Sequence, residues 1–566
     1  MAIRVSRGGR LAALGCASVA MLGFAVACDK SKDGAPGQAE PAAAQEHRDK
    51  AAQLTAPAGL FSHIPADTPY VFASFEPVPL AYWQKVAPVI QSVTNMIPLP
   101  EKPTEPIERF AVGFVRELKA NMNEAGLKKT FGIGAEGRFA LYGIGIVPVL
   151  RMELADGKAL LSTVERLQKE SGLALPTASV GGRSYWRFGD AETLVVVAVA
   201  DNQLILSGGP TAMVEQALPF VLGAEKPEPN MADGAALKKV AGQHGFAGYG
   251  VGYLDASNLL KLLFVANLIG SAGGGGEGIP PACMEQITTL AKRFPRLAIG
   301  YDEISGQKVA VRMVLETDQA LATRLKELPV EVPGLVAGQQ PERALFTVGL
   351  GVDVIKARQL AIDAAEGVGR IGQACGSASA QQDAAEARTA MSQPLPPAFE
   401  KIRGALITVL DGDMGPDGKP RGVSAYGIIA SDDPAGLLQF AQQASGGQMP
   451  VVAADGQFHD LVPAGAVPGL DAVRAAVKPK ALVATVGAKG GEAAEKALAR
   501  TGKSPLFLIS YDYGQLMTKI MAAKPPSSDD EEAKIVSQLG SMFGVSSMWA
   551  YPTDHGLALA FSMELR

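Results

Sequence analysis

Charge is scarce in this sequence: 19% of its 566 residues are Asp, Glu, Lys or Arg, against 47% that are hydrophobic. A chain of that composition buries cores rather than staying disordered, and its length suits two to four domains. Nor is there a basic excess. With 52 cationic and 57 anionic side chains, nothing electrostatic points to nucleic acid or anionic headgroups as partners. Histidine is rarer still, and the five at positions 47, 63, 244, 459 and 555 stand alone, without the H-E-x-x-H or C-x-x-C company of a contiguous zinc site. No cofactor and no metal is expected.

Phosphate-binding loops are absent in substance. Gly132-Ile133-Gly134-Ala135-Glu136-Gly137 fits G-x-G-x-x-G, but a strand from Phe139 follows where a helix should receive phosphates, so it reads as a loop. Gly502-Lys503-Ser504 looks like the end of a P-loop, yet Ala497 stands where the first glycine belongs and another strand follows. Asp411, Asp413 and Asp417 could offer three carboxylates to a hard cation. Pro416 occupies the place of the loop glycine and Gly422 the twelfth position, which favours a solvated hairpin turn. Asp529 to Glu532 read as solvated acids in the first turn of a helix that Ser528 and Glu531 would cap.

The N-terminus is more informative. Arg4, Arg7 and Arg10 precede an uncharged run from Leu11 to Ala27, the layout of a secretory signal. Gly15, Ser18 and Gly23 loosen a segment that would otherwise suit a permanent span. The run ends in Ala25-Val26-Ala27-Cys28, which resembles the lipobox of bacterial lipoproteins, apart from alanine at 25 where leucine is usual. That resemblance implies cleavage before Cys28, a diacylglycerol on its thiol and acylation of the new N-terminus, since stable anchoring takes more than one chain. An ordinary signal-peptidase site beside an incidental cysteine is the alternative. Residues 1–27 are thus expected to be a signal peptide, with all that follows facing the periplasm and tethered to a membrane, inner or outer. Without the three leader arginines the count becomes 49 basic against 57 acidic.

From Cys28 to residue 56 the composition is mainly Ala, Pro, Gly, Gln, Lys and Asp without an apolar period, which predicts a disordered tether with His47 solvated in it. Only Cys283 and Cys375 remain beyond the anchor. An oxidising compartment favours one disulfide between them, with two free thiols as the alternative.

The remainder alternates short strands with amphipathic helices in an order that recurs. Tyr70 to Phe75 leads into a helix at 80–97 as Ala344 to Leu350 leads into one at 354–368. Strands at 139–145 and 149–154 with a helix at 158–171 match strands at 405–410 and 423–429 with a helix at 434–445. A hairpin through Asp201-Asn202 and a helix at 210–222 match a strand at 481–486 and a helix at 492–500. Gly248 to Asp255 opens a helix at 258–269 as Leu506 to Asp512 opens one at 514–522, with Tyr253 and Asp255 set against Tyr511 and Asp512. Strand pairs at 296–301/308–316 and 547–551/557–565 close the halves. The expected fold class is α+β: two related halves, 57–335 and 336–566, each of mostly antiparallel strands packed by amphipathic helices. Gly273 to Gly278, and Pro394 to Pro397 with the alanine-rich stretch before it, read as flexible inserts.

His63-Ile64-Pro65-Ala66-Asp67-Thr68 resembles the opening of a family of exported bacterial proteins of unknown function, which implies location rather than activity. The leading expectation is a non-catalytic, lipid-anchored envelope protein that meets other envelope proteins. One alternative is a carrier for an apolar, lipid-like ligand, using the most apolar helix, Leu259 to Ile269. That helix is too short to span a bilayer and otherwise belongs to the core. The other is a hydrolase whose Ser, His and Asp converge from distant positions.

Overall fold

The structure, a computed structural model, describes residues 42–95, 99–100, 102–262, 279–337, 339, 343–415, 420–446, 449–464, 466, 471–523 and 539–566. The leader, Cys28, 263–278, Asp417 and the 528–532 segment lie outside the described residues. The fold is α+β with antiparallel strand pairs, and no described helix is long and apolar enough to cross a membrane. The chain divides into two compact units, Ala43–Leu262 with Leu297–Val311, and Arg312–Arg566 with 279–296.

In the first unit, nine strands are β1 (Tyr70–Ala73), β2 (Phe139–Ile144), β3 (Val147–Glu153), β4 (Thr177–Val180), β5 (Arg183–Gly189), β6 (Thr193–Ala200), β7 (Gln203–Pro210), β8 (Val251–Asp255) and β9 (Arg296–Ile304). Their pairings give the order β8-β1-β2-β3-β7-β6-β5-β4. β9 runs beside the approach to β8, where Ala247 and Tyr301 N–H groups donate to Tyr301 and Gly250 carbonyls. Along β6 the alternation of Leu194, Val196 and Ala198, all buried, with half-exposed valines is a period-2 pattern with one face inward. The turn to β7 holds Asp201 and Asn202 at φ 53° and 54°, the left-handed pair that a two-residue hairpin of matching twist needs and that Asp and Asn tolerate.

The expected tether is replaced near its end by structure. Ala42–Ala51 is an α-helix, Ala51 is buried, Leu54 and Ala56 lie over Gly248 and Gly234, and the His47 Nε2 lies 3.0 Å from the Asp302 carbonyl oxygen. Alanine and an i,i+4 pair, Lys50 to Glu46 at 2.5 Å, favour helix where low complexity suggested coil.

β10 (Lys308–Glu316) pairs with β9. The second unit adds β11 (Phe346–Gly351), β12 (Ile402–Met414), β13 (Pro420–Ser431), β14 (His459–Val462), β15 (Val473–Lys478), β16 (Ala481–Val486), β17 (Phe507–Asp512), β18 (Phe543–Thr553) and β19 (Gly556–Leu565). Their order is β19-β18-β17-β11-β12-β13-β16-β15-β14. One face of these strands packs Leu406, Tyr426, Ile428, Val483 and Leu508 against Val332, Leu335 and the helix Ala488–Leu498. That helix lies close because Gly490 has no side chain: a Cβ there would stand 2.4 Å from the Ala425 carbonyl oxygen.

Two expectations about this unit change. The alanine-rich stretch is no flexible insert: Ala378–Ser392 is a helix packed on Val354–Ala374, which itself runs past the expected end at 368. Alanine satisfies helix propensity without an amphipathic stripe, so periodicity misses it. The boundary near 335 also moves, because segments 279–296 and 312–335 belong to the second unit. There the helix Gln319–Lys326 packs Leu321 and Leu325 against Val352, Ala357 and Leu360.

Candidate functional sites

The acidic hairpin is neutralised by lysine. Lys519 donates to Asp411 at 2.9 Å and to Asp413 at 2.7 Å, and Lys489 reaches Asp411 at 3.3 Å. The bond from Lys519, then the Gly412 N–H, holds the Asp411 carboxyl down to about 2. An ammonium therefore lies where a hard cation would have to sit, and among the described residues no three of His, Cys, Asp and Glu gather as ligands.

The glycine motifs resolve into structural parts. Gly132 ends the helix Glu124–Phe131 in a left-handed conformation, φ 68°. Ser504, buried, donates to the Leu335 carbonyl at 2.6 Å and accepts from the Val332 N–H at 3.0 Å, tying two segments of the core together. The histidines stay apart: His459 meets Asp455 at 2.9 Å, His244 is buried beside Phe246, and His555 lies in the β18–β19 turn. Cys283, in the helix Pro281–Arg293, is joined in a disulfide to Cys375, which caps the helix Val354–Ala374.

Sequence reading missed the most unusual chemistry in the molecule. Arg151 of β3 is fully buried, and its three side-chain bonds go to neutral groups. Nε donates to the Tyr142 hydroxyl at 3.0 Å, Nη1 to Gln203 Oε1 at 2.8 Å and Nη2 to the Val221 carbonyl at 2.7 Å. Gln203 in turn donates to the Gly59 carbonyl at 3.0 Å. Burial raises the Tyr142 hydroxyl pKa despite the neighbouring Arg151, which keeps the phenol neutral. His63 stands beside this group, 3% exposed, with Nδ1 unbonded. The imidazole and the guanidinium both close on Gly223, where a Cβ would meet His63 Cε1 at 2.6 Å and Arg151 Nη2 at 3.0 Å. The signal was in the alternation: Val147, Val149 and Arg151 share the inward side of β3.

Burial first, and then the charges of Arg151, Lys226 and Arg183 against a weaker pull from Asp201, depress His63 to about 3. The unfolded chain protonates this imidazole near 6.5 while the folded one does not. Stability is therefore full above about pH 6.5 and falls toward pH 3, by up to about 1.4 kcal/mol per pH unit. Urea midpoints measured from pH 7 to 4 should drop more steeply for the wild type than for His63→Gln. Equal slopes would clear His63 of the effect.

The second feature is a surface. Opposite the packed face of the second unit, the register aligns Phe346, Val409 and Ala425 in one row, Val348, Ile407 and Gly427 in the next, and Leu350, Ala405 and Ile429 in the third. None of the nine carries a side-chain polar atom. Phe346, Leu350, Ile407 and Ile429 are 36, 47, 51 and 37% exposed, and the others are half-buried. Strands such as Ala405 to Leu410, in which only Thr408 breaks the apolar run, carry the sequence signal for it. No family model, curated protein or solved structure matches the chain.

Proposed function

We propose that this protein is a non-catalytic component of the bacterial cell envelope, facing the periplasm, held to a membrane by a lipid on Cys28, and built from two duplicated α+β units. It acts by presenting an apolar sheet face to another protein. The nine-position floor on β11, β12 and β13 carries the reading, because contiguous exposed apolar surface marks interaction sites on folded domains.

The duplication draws on strand order. β8-β1-β2-β3-β7-β6-β5 and β17-β11-β12-β13-β16-β15-β14 are connected alike, and one register relates them as far as β6 and β15, beyond which β14 is bulged where β5 is regular. In that frame Asp255 matches Asp512, and each accepts the N–H three residues on, from Asn258 at 2.8 Å and Gln515 at 3.0 Å. Tyr253 falls opposite Ser510, so its match to Tyr511 was one residue out. Arg151, Tyr142 and Gln203 fall opposite Ile428, Thr408 and Ala481.

A clickable palmitate analogue fed to the native cells should label the wild type and not Cys28→Ala; equal labelling removes the anchor. Crosslinking pulldown from intact cells, beside a lipid extract of the purified protein, should return protein partners without stoichiometric lipid. Stoichiometric lipid would turn the reading toward a carrier.

A further inference from the structure

Taking the lipid on Cys28 from that reading, we propose that the helix Ala42–Ala51 clamps the membrane tether against the first unit, halving its reach and turning one side of that unit toward the lipid surface. Ten residues with alanine as their main apolar side chain do not hold a helix alone in water, where fewer than about 12–15 residues are marginal. Docking supplies the rest. The buried Ala51 meets the helix Ala235–His244 at Gly242, where a Cβ would stand 3.3 Å from the Ala51 Cβ. His47 Nε2 lies 3.0 Å from the Asp302 carbonyl oxygen of β9. Just past the helix, Leu54 closes with Glu76 on Gly248, each 2.9 Å from the place of a Cβ.

The clamp changes the geometry of the anchor. Ala42 lies 14 residues along from Cys28, so the chain between them spans at most about 46–50 Å, against about 96–104 Å if the unit were first held at the buried Pro57, 29 residues along. Both docking partners, the helix Ala235–His244 and β9, stand at the β8 end of the first unit's sheet. The outermost strand at the other end, β4, is seven strand spacings away, roughly 34 Å. To lay β4 on the bilayer with the clamped side outward would draw out about two-thirds of the short tether's full length but only about a third of the long one's. A coil of 14 residues has a root-mean-square span of only about 20 Å, so the short tether keeps the Ala235–His244 side facing lipid.

The test uses the full, acylated chain in phosphatidylcholine vesicles whose headgroups carry an energy-transfer acceptor. Donor dyes go on cysteines placed at the exposed Lys239 or at the exposed Ser179 of β4; Cys283 and Cys375, being bonded to each other, take no dye. Transfer from Lys239→Cys should exceed that from Ser179→Cys at least about twofold, since the sheet sets the two roughly 34 Å apart. Repeating residues 29–41 within the tether lengthens it without touching the fold, and should bring the two values together. Ala51→Asp and Gly242→Leu should do the same while the amides of 43–51 lose their protection from hydrogen exchange. Equal transfer from the two positions in the wild type, or a difference that survives either the lengthened tether or the loss of that protection, would overturn the clamp while leaving the anchor in place. Vesicles that bind Cys28→Ala as well as the wild type would remove the anchor, and the clamp with it.

Discussion

Arg151→Ala is expected to lower the unfolding free energy of the first unit by about 3–5 kcal/mol, the cost of breaking a buried charged network by removing one partner. The loss goes beyond one side chain. The Tyr142 hydroxyl, the Gln203 amide and the Val221 carbonyl are all left inside without the donor that satisfies them, and a buried polar group without a partner costs about 1–3 kcal/mol. The place that the proposed duplication sets against it in the second unit holds Ile428, Thr408 and Ala481 within or beside an apolar core. An apolar replacement of the whole set, Arg151→Ile with Tyr142→Phe and Gln203→Leu, should therefore recover most of the loss, as well-packed hydrophobic substitutes for buried ions do. Urea unfolding followed by tryptophan fluorescence reads both variants. A cost under about 1 kcal/mol for Arg151→Ala would mean that water reaches the guanidinium.

Reduction of Cys283–Cys375 should lower the stability of the second unit by about as much. The bridge closes a loop of 92 residues, and the chain-entropy relation gives about 4–5 kcal/mol for a loop near 100 residues. It fastens the helix Pro281–Arg293 to the end of Val354–Ala374, next to the turn into Ala378–Ser392. Guanidinium midpoints with and without reductant measure the effect, and Cys283→Ala with Cys375→Ala should match the reduced protein. A midpoint indifferent to reductant, with a single disulfide proven by mass spectrometry, would show that the loop is already constrained in the unfolded chain.

Much of the architecture was legible because it depends on local rules. The Asp201-Asn202 turn, the strand pairs around it, and most helices announced themselves by period and by turn chemistry. What escaped reading depends on partners distant in sequence. The helices Ala42–Ala51 and Ala378–Ser392 have few large apolar residues to mark an inward side, so composition resembled linker. The segments 279–296 and 312–335 join the second unit through a disulfide and through Leu321 and Leu325, neither of which has a local signature. Arg151 had a signature in the parity of β3, but its meaning needed Tyr142, Gln203 and Val221, which come from three other elements. The apolar floor needed the register of three strands before its rows could be read across.

The bond from Arg151 to the Val221 carbonyl has an electrostatic consequence. Val221 lies in the last turn of the helix Thr211–Leu222, where aligned peptide dipoles leave about half a negative charge. The guanidinium thus finds its counter-charge in backbone rather than in a carboxylate, and the helix end is neutralised by the same contact. That fractional charge is already engaged, so a second cation arriving at His63 would meet only the weaker pull of Asp201.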